Sequence, residues 1–378
     1  MVDEVRPYRS GRRTTARVLV PVGVVALTAA GIGLVPAMAG DSGPSLPALT
    51  AEQVVAKALG SEAEALSGTV KVKADLGVPA QLLGGALPGA AGGHDGGGKE
   101  RGSQAAPETK LLELLGGEHT LQVAVDGPDR QRIGLIGGLT GYELVHNGGE
   151  LWAWDSRSND AVHLTGPQAA RAEHPKTPLP VTPQDAARRF LTLSAESTSV
   201  TVAGTAEVAG QKAYQLSVKP RQSGSTIAEV RISVAADNGV PLAVLIRSTD
   251  GSKVLDVHFS EVSFSKPAAS TFKFTAPKGA RVTERSAGDA TAAAAEHRPA
   301  QLPGAGGVDL VGEGWATVLT AKLPQGDGGS FAKALGKPVG GGTLIGTKVL
   351  NVLLTDDGRV FAGAVTPQVL QNAAGVKP

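Results

Sequence analysis

The sequence predicts an α+β fold built on an antiparallel β-sheet. The strongest sign is Glu229 to Phe264, EVRISVAADNGVPLAVLIRSTDGSKVLDVHFSEVSF, in which apolar and polar residues alternate in three runs. Val230, Ile232 and Val234 share one face, Leu242, Val244 and Ile246 the next, and Leu255, Val257 and Phe259 the third. A period of two is the mark of half-buried strands. The second sign is the punctuation: Asp237-Asn238-Gly239 and Asp250-Gly251 suit tight hairpins, so the runs form a meander. The third is a break in parity. Phe259 is in step with Glu261, whereas Val262 and Phe264 fall on the other face, which predicts a β-bulge near Ser260 and a bent strand.

Composition removes several function classes. The net charge of +1 gives no footprint for nucleic acid, and zero Cys excludes disulfides, thiolate metal sites, a cysteine nucleophile and a lipidated N-terminal cysteine. Aromatic residues are 3% of the chain, so the core is built from Val, Leu, Ile and Ala.

Arg6, Arg9, Arg12, Arg13 and Arg17 precede an uncharged apolar run, residues 18–39, that ends in Ala37-Met38-Ala39. This is an export signal, either cleaved after Ala39 or retained as a membrane anchor, and in both cases the rest of the chain is extracytoplasmic. Residues 1–49 are therefore signal or anchor plus linker.

Thr50-Ala51-Glu52-Gln53 is a capping box. The predicted helix behind it carries Val54, Val55, Ala58, Leu59, Ala65 and Leu66 on one side and stops at Ser67-Gly68. Thr69–Asp75 alternates as a strand. Residues 76–108 form a long loop whose 89–103 portion is Gly-rich. Lys110–Leu115 is a short leucine-rich helical turn. Strands follow at Thr120–Asp126, Arg130–Ile136, Tyr142–Asn147, Glu150–Asp155 and Ala161–Leu164. Thr182-Pro183 opens a second helix with Ala186, Ala187, Phe190 and Leu191 buried. Ser199–Val208 and Lys212–Lys219 lead into the meander, and the unit closes near residue 284. Residues 285–307 read as a linker. A C-terminal extension, 308–378, holds strands at Trp315–Leu323, Val349–Leu354 and Val360–Val365. It has short helices at Ser330–Leu335 and after Thr366, and either stands alone or docks on the main sheet.

Catalytic and metal signatures are missing from the sequence. The seven histidines have no ligand spacing, and no Gly-x-Ser-x-Gly elbow is present. Gly341–Lys348 has phosphate-loop glycine spacing, but Thr347 and Lys348 stand in the wrong order. No catalytic residue, metal or cofactor is assigned, and the chain does not read as an enzyme. What remains is apolar. Trp152 and Trp154 share a strand face, as ordinary packing or as cavity lining. Leu82, Leu83, Leu111, Leu114 and Leu115 flank the flexible loop, either tucked into the core or acting as a mobile lid. With Phe190, Val244 and Val257 they make up the candidate ligand-binding set.

The element order and the closing phrase Phe272-Lys273-Phe274-Thr275-Ala276-Pro277-Lys278-Gly279 resemble the LolA/LolB/RseB-like lipoprotein-carrier superfamily. The T-A-E-Q-V-V-A-K-A helix and the run from Gly149 to Asp155 are similar too, and the resemblance covers about 50–284. Residues 308–378 resemble a tail of actinobacterial members. The resemblance implies a curved antiparallel half-barrel with helices on its concave face, holding the acyl chain of a lipid or lipoprotein. Alternatively it implies a sensor that binds a membrane-anchored anti-sigma factor. No nucleic-acid partner is expected. The Gly-rich 89–103 stretch and the lack of a lipidation cysteine depart from that pattern.

Overall fold

The computed structural model describes residues 43–61, 63–77, 105, 110, 116–137, 140–166, 191, 195–286, 309–322 and 336–376. The chain is mostly strand. Helix α1 spans Ala51–Leu59, followed by β1 Ala65–Asp75, β2 Gly116–Asp126, β3 Arg130–Gly137, β4 Thr140–Asn147, β5 Glu150–Asp155 and β6 Asp160–Thr165. Then come β7 Thr198–Val208, β8 Gln211–Pro220, β9 Ile227–Ala235, β10 Pro241–Ser248, β11 Lys253–Ser263 and β12 Arg281–Ser286. The C-terminal part holds β13 Asp309–Val311, β14 Val318–Lys322, β15 Lys337–Val339, β16 Gly342–Gly346, β17 Asn351–Thr355, β18 Arg359–Gly363 and helix α2 Pro367–Ala374.

The first twelve strands form one sheet in the order β12-β6-β5-β4-β3-β2-β1-β11-β10-β9-β8-β7. Its edges, β12 and β7, are unjoined, so the sheet is open and not a closed barrel. Every pairing is antiparallel except β12 on β6, which is parallel and lies beyond what the periodicity predicts. The remaining six strands form a second sheet, β13-β14-β18-β17-β16-β15, with α2 packed on β17 and β18.

The large sheet is curved at its β7 end. Neighbouring strands lie about 4.8 Å apart, so β7, four strands from β11, would be about 19 Å away in a flat sheet. Residues of the two strands instead have Cα atoms within 8 Å of each other. The bulge expected near Ser260 is present: Val70 pairs with Phe259 and Thr69 with Glu261, leaving Ser260 unpaired. Gly68 sits beside it, where an added Cβ would collide with the Glu261 carbonyl oxygen and stand 3.0 Å from the Phe259 ring. Only glycine allows the two strands to close up at this bend.

Helix α1 begins as expected. The Thr50 hydroxyl accepts from Gln53 N at 3.2 Å and the Gln53 side chain accepts from Thr50 N at 2.9 Å. It ends earlier than predicted, at Leu59, because Gly60 caps it; Leu59 is 50% exposed, and Ala65 and Leu66 belong to β1. The helix buries Val54, Val55 and Ala56 against Val200, Tyr214, Leu216, Ile232 and Val244. Each valine so buried contributes about 2 kcal/mol. Its C-terminal end meets the β9–β10 turn at Gly239, whose φ of 77° and contact with Lys57 exclude a side chain.

Other expectations shift by the same kind of local cause. A register shift between Pro241 and Ala243 takes Leu242 out of step with Val244, and Leu242 packs with Ala213 and Ala235 instead. Trp315 lies in a 3-10 turn, Gly314–Ala316, ahead of β14. The phosphate-loop-like glycines at 341–346 belong to the β15–β16 hairpin. The loop 89–103, the turn at 111–115, residues 182–190 of the second helix and the helix at Ser330–Leu335 lie outside the described residues.

The second sheet contacts the first. Ser225 bridges to Val365, Thr226 N donates to Ala364 O at 3.0 Å, and Thr366 N donates to Gly224 O at 2.7 Å. The Trp315 indole N–H donates to Thr198 Oγ1 at 2.7 Å, with its ring against the core beneath α1. Lys348 pairs with Asp75 at the end of β1, and holds the Asp75 carboxyl below its ordinary range.

Candidate functional site

The large sheet has one apolar face that runs nearly its full width. The register places Val72, Val257, Val244, Ile232, Leu216 and Val202 in one row across β1, β11, β10, β9, β8 and β7. On the other side of β1, Gly68 continues the same face through Val123, Ile133, Leu144, Ala153 and Val162. Alternation along each strand fixes this: a residue two positions on returns to the same face.

The two ends of this face are covered. At the β7–β10 end lie α1, Leu46, Leu49 and Leu191. At the β4–β6 end, Ala105 is fully buried against Tyr142, Ala153 and Val162, and the Tyr142 hydroxyl donates to Ala105 O at 3.2 Å. Lys110 stands 2.7 Å from Asp155, and its ammonium is 5.9 Å from the Tyr142 ring centroid. Burial raises the Asp155 pKa, but the Lys110 ammonium and the Ser158 N–H outweigh it and hold the carboxyl below its usual range. Ala105, Lys110 and Leu191 punctuate the long connections β1–β2 and β6–β7, and all three sit on this face. Between the covered ends, Leu121, Val123 and Val257 are half-buried and Ile133 is 39% exposed.

The opposite face carries polar side chains over the middle of β8–β11, an apolar cluster of Ala213, Ala235 and Leu242 at one end of these strands, and a strap on β2–β6. Residues 264–280 cross it: Lys266 pairs with Asp126 at 3.2 Å, and Arg132, bidentate to Glu143, donates to Thr271 O at 2.9 Å. Phe272 is buried, and Phe274 lies 5.4 Å from Trp152 and 6.4 Å from Trp154. Trp152 also stacks on His163 at 3.8 Å.

This geometry divides the predicted ligand-binding set. Val244 and Val257 are direct register partners on the apolar face. Trp152 and Trp154 are on the other face, covered by Phe274, because Trp152 is in register with Val145 and Arg132 and not with Ala153. They are packing residues of the strap. Leu82, Leu83, Leu111, Leu114, Leu115 and Phe190 lie outside the described residues. Sequence reasoning missed Leu121, Val123 and Ile133. Their alternation was visible, but nothing local revealed that β2 and β3 extend the face started by the distant meander.

The fold and site together define a class: an open, mostly antiparallel β protein with a broad apolar face that is only partly covered among the described residues. No family model matches the chain, and no curated protein matches it. Similar solved structures include the MucA/MucB complex of Pseudomonas aeruginosa, with 16% identity, 86% of this chain and 96% of that chain covered, and a TM-score of 0.39. LprF from Mycobacterium bovis has 11% identity, 61% and 97% coverage and a TM-score of 0.28. The LolA superfamily protein NE2245 from Nitrosomonas europaea has 11% identity, 60% and 99% coverage and a TM-score of 0.22. One of the three is a LolA superfamily protein, the group that the sequence resembles. All of these TM-scores lie below 0.5, so the likeness transfers no residue, ligand or partner. Among the described residues, no helix is long and apolar enough to cross a membrane, and no three acidic or histidine side chains are grouped to hold a metal.

Proposed function

We propose that this chain is an extracytoplasmic binding protein that holds an acyl chain of a lipid or lipoprotein against the middle of the apolar face. The observation that carries the reading is the width of that face, continuous from Val162 to Val202, with its ends covered and Ile133 at its centre 39% exposed. An acyl chain fits such a surface without a polar anchor, since each methylene removed from water contributes about 0.8 kcal/mol. Residues 50–284 form the binding unit, the 78–115 connection supplies its lid with Leu82, Leu83, Leu111, Leu114 and Leu115, and 308–378 is a docked extension. The chain is secreted or held at the membrane by residues 18–39. Native mass spectrometry after gentle purification tests the reading. Co-purified lipid mass supports it, and a ligand-free protein that also fails to bind a fluorescent fatty acid contradicts it.

A second reading is a sensor that docks a membrane-anchored regulatory protein. It draws on β12, whose residues are exposed and along whose outer edge, from Arg281 to Arg285, no strand is paired among the described residues. Such an edge can accept a strand from a partner. Amide exchange at 281–286 then slows when the regulator's extracytoplasmic segment is added. A regulator that binds but leaves these amides unprotected contradicts this docking.

A further inference from the structure

The face of β8–β11 opposite the apolar one carries a cavity, independent of the acyl-chain reading. It measures about 470 Å³ and lies between the end of β7 with the turn after it, residues 206–209, and a floor made by β8 to β11. Two adjacent rows of the register line the floor. One contains Gln215, Ser233, Ala243 and His258, the other Arg231, Leu245 and Asp256.

These side chains are short of partners. Ser233 is 4% exposed, lines the cavity, and its hydroxyl makes no hydrogen bond among the described residues. The Gln215 amide makes none either. His258 Nδ1 is 2.9 Å from Asp256 Oδ1, which leaves His258 Nε2 and Asp256 Oδ2 open. Arg231 spends one terminal nitrogen on Glu229, at 3.0 and 3.2 Å, and its buried Nε has no partner. Buried polar groups are ordinarily satisfied, and the buried Arg231 Nε left open here, beside the solvent-accessible polar atoms of Gln215, Ser233, Asp256 and His258, marks a place where a ligand can supply bonds.

The pattern also says what kind of group fits. Donors and acceptors are mixed: guanidinium, amide and hydroxyl on one side, carboxylate, imidazole and amide oxygen on the other. The charges balance, since Arg231 and Arg247 stand with Glu229 and Asp256, and Arg247 lies 3.8 Å from Glu229. At the rim, exposed Glu207 is offset by exposed Lys71, the register partner of His258. Balanced charge selects neither an anion nor a cation. A saccharide suits it, because each hydroxyl both donates and accepts. The half-buried Phe259 at the wall offers apolar surface for the C–H face of a sugar ring.

We infer that this cavity is a binding site for a neutral saccharide, either free or as the headgroup of a glycolipid.

Saturation-transfer NMR on the full chain tests the site, with maltose as the soluble probe and vesicles containing digalactosyl diacylglycerol as the lipid probe. Transfer to either supports the site, and which of them responds identifies the source. Gln215→Ala and Ser233→Val each weaken binding at least fivefold while circular dichroism stays unchanged. If Ser233→Val does not fold, Gln215→Ala alone decides. Ile133→Glu, on the other face, leaves sugar binding intact, so failure here and failure of the acyl-chain reading are separable. No transfer to either probe, an unchanged affinity in Gln215→Ala, or displacement of maltose by acetate, phosphate or ammonium overturns the inference.

Discussion

Lys110 and Asp155 form an ion pair on the apolar face, 2.7 Å apart, with side chains only 13% and 5% exposed. Removing one partner of a buried pair strands the other charge, which costs about 3–5 kcal/mol. Asp155 keeps bonds from Arg157 N, Ser158 N and the Ser158 hydroxyl, so Lys110→Met falls at the low end, about 3 kcal/mol. Urea denaturation checks this, and adding Asp155→Asn to Lys110→Met restores most of the loss.

Acid sensitivity follows from the carboxylates that folding holds ionised. Asp155 and Glu229 are both buried and both lowered, against the opposing effect of burial, by Lys110 and Ser158 in one case and by Ser217 and Arg231 in the other. Asp250 is lowered to about 2 by Ser248 and the Ser252 N–H. A carboxyl with a depressed folded pKa stabilises the protein above its unfolded value, about 4, and that contribution fades as pH falls through the folded pKa. Stability from these groups is therefore level between about pH 5 and 8 and declines below about pH 4. Urea midpoints measured across that range show the decline, and Glu229→Gln makes it shallower.

At the Ser260 bulge, the fit of Gly68 is the point to probe. Gly68→Val drives a side chain into the Glu261 carbonyl and the Phe259 ring, and overpacking of this kind costs about 1–3 kcal/mol. Gly134 is the matched strand control: its nearest neighbour to an added Cβ, Gln122 O, is 4.0 Å away, so Gly134→Ala is neutral. Thermal denaturation of the two variants separates them.

Trp315 joins the second sheet to the core of the first. Trp315→Ala removes the indole bond to Thr198 and the contact beneath α1, and lowers stability by about 3 kcal/mol, the low end for such truncations. If the sheets are held mainly by this wedge, limited proteolysis of the variant cuts between 286 and 309 and releases the C-terminal part as a separate fragment. Protection equal to the wild type contradicts a coupling role.

Much of the strand content was legible because alternation is a local signal. The capping box at Thr50, the hairpin at Asn238-Gly239 and the bulge at Ser260 each announce themselves within a few residues. What was not legible depends on pairing between distant segments. Nothing near Arg281 tells that it pairs in parallel with β6 through Asp160, 2.7 Å away. The sequence leaves Trp152 and Trp154 open between ordinary packing and cavity lining, because two tryptophans on one strand face carry no label for which face it is. That answer came from Phe274, far along the chain. The polar cavity was hidden for the same reason, since Gln215, Ser233 and His258 meet only once β8 to β11 are in register.

The central claim concerns the uncovered middle of the apolar face, and two isoleucines on β3 test it most directly. Ile133 is on that face and 39% exposed; Ile136, three residues on, is on the opposite face and 50% exposed. Glutamate at either position is compatible with folding at that exposure. Titration with a fluorescent fatty acid should show saturable binding to the wild type and to Ile136→Glu, and at least tenfold weaker binding to Ile133→Glu. Equal binding by both variants, or loss in Ile136→Glu alone, would contradict the account.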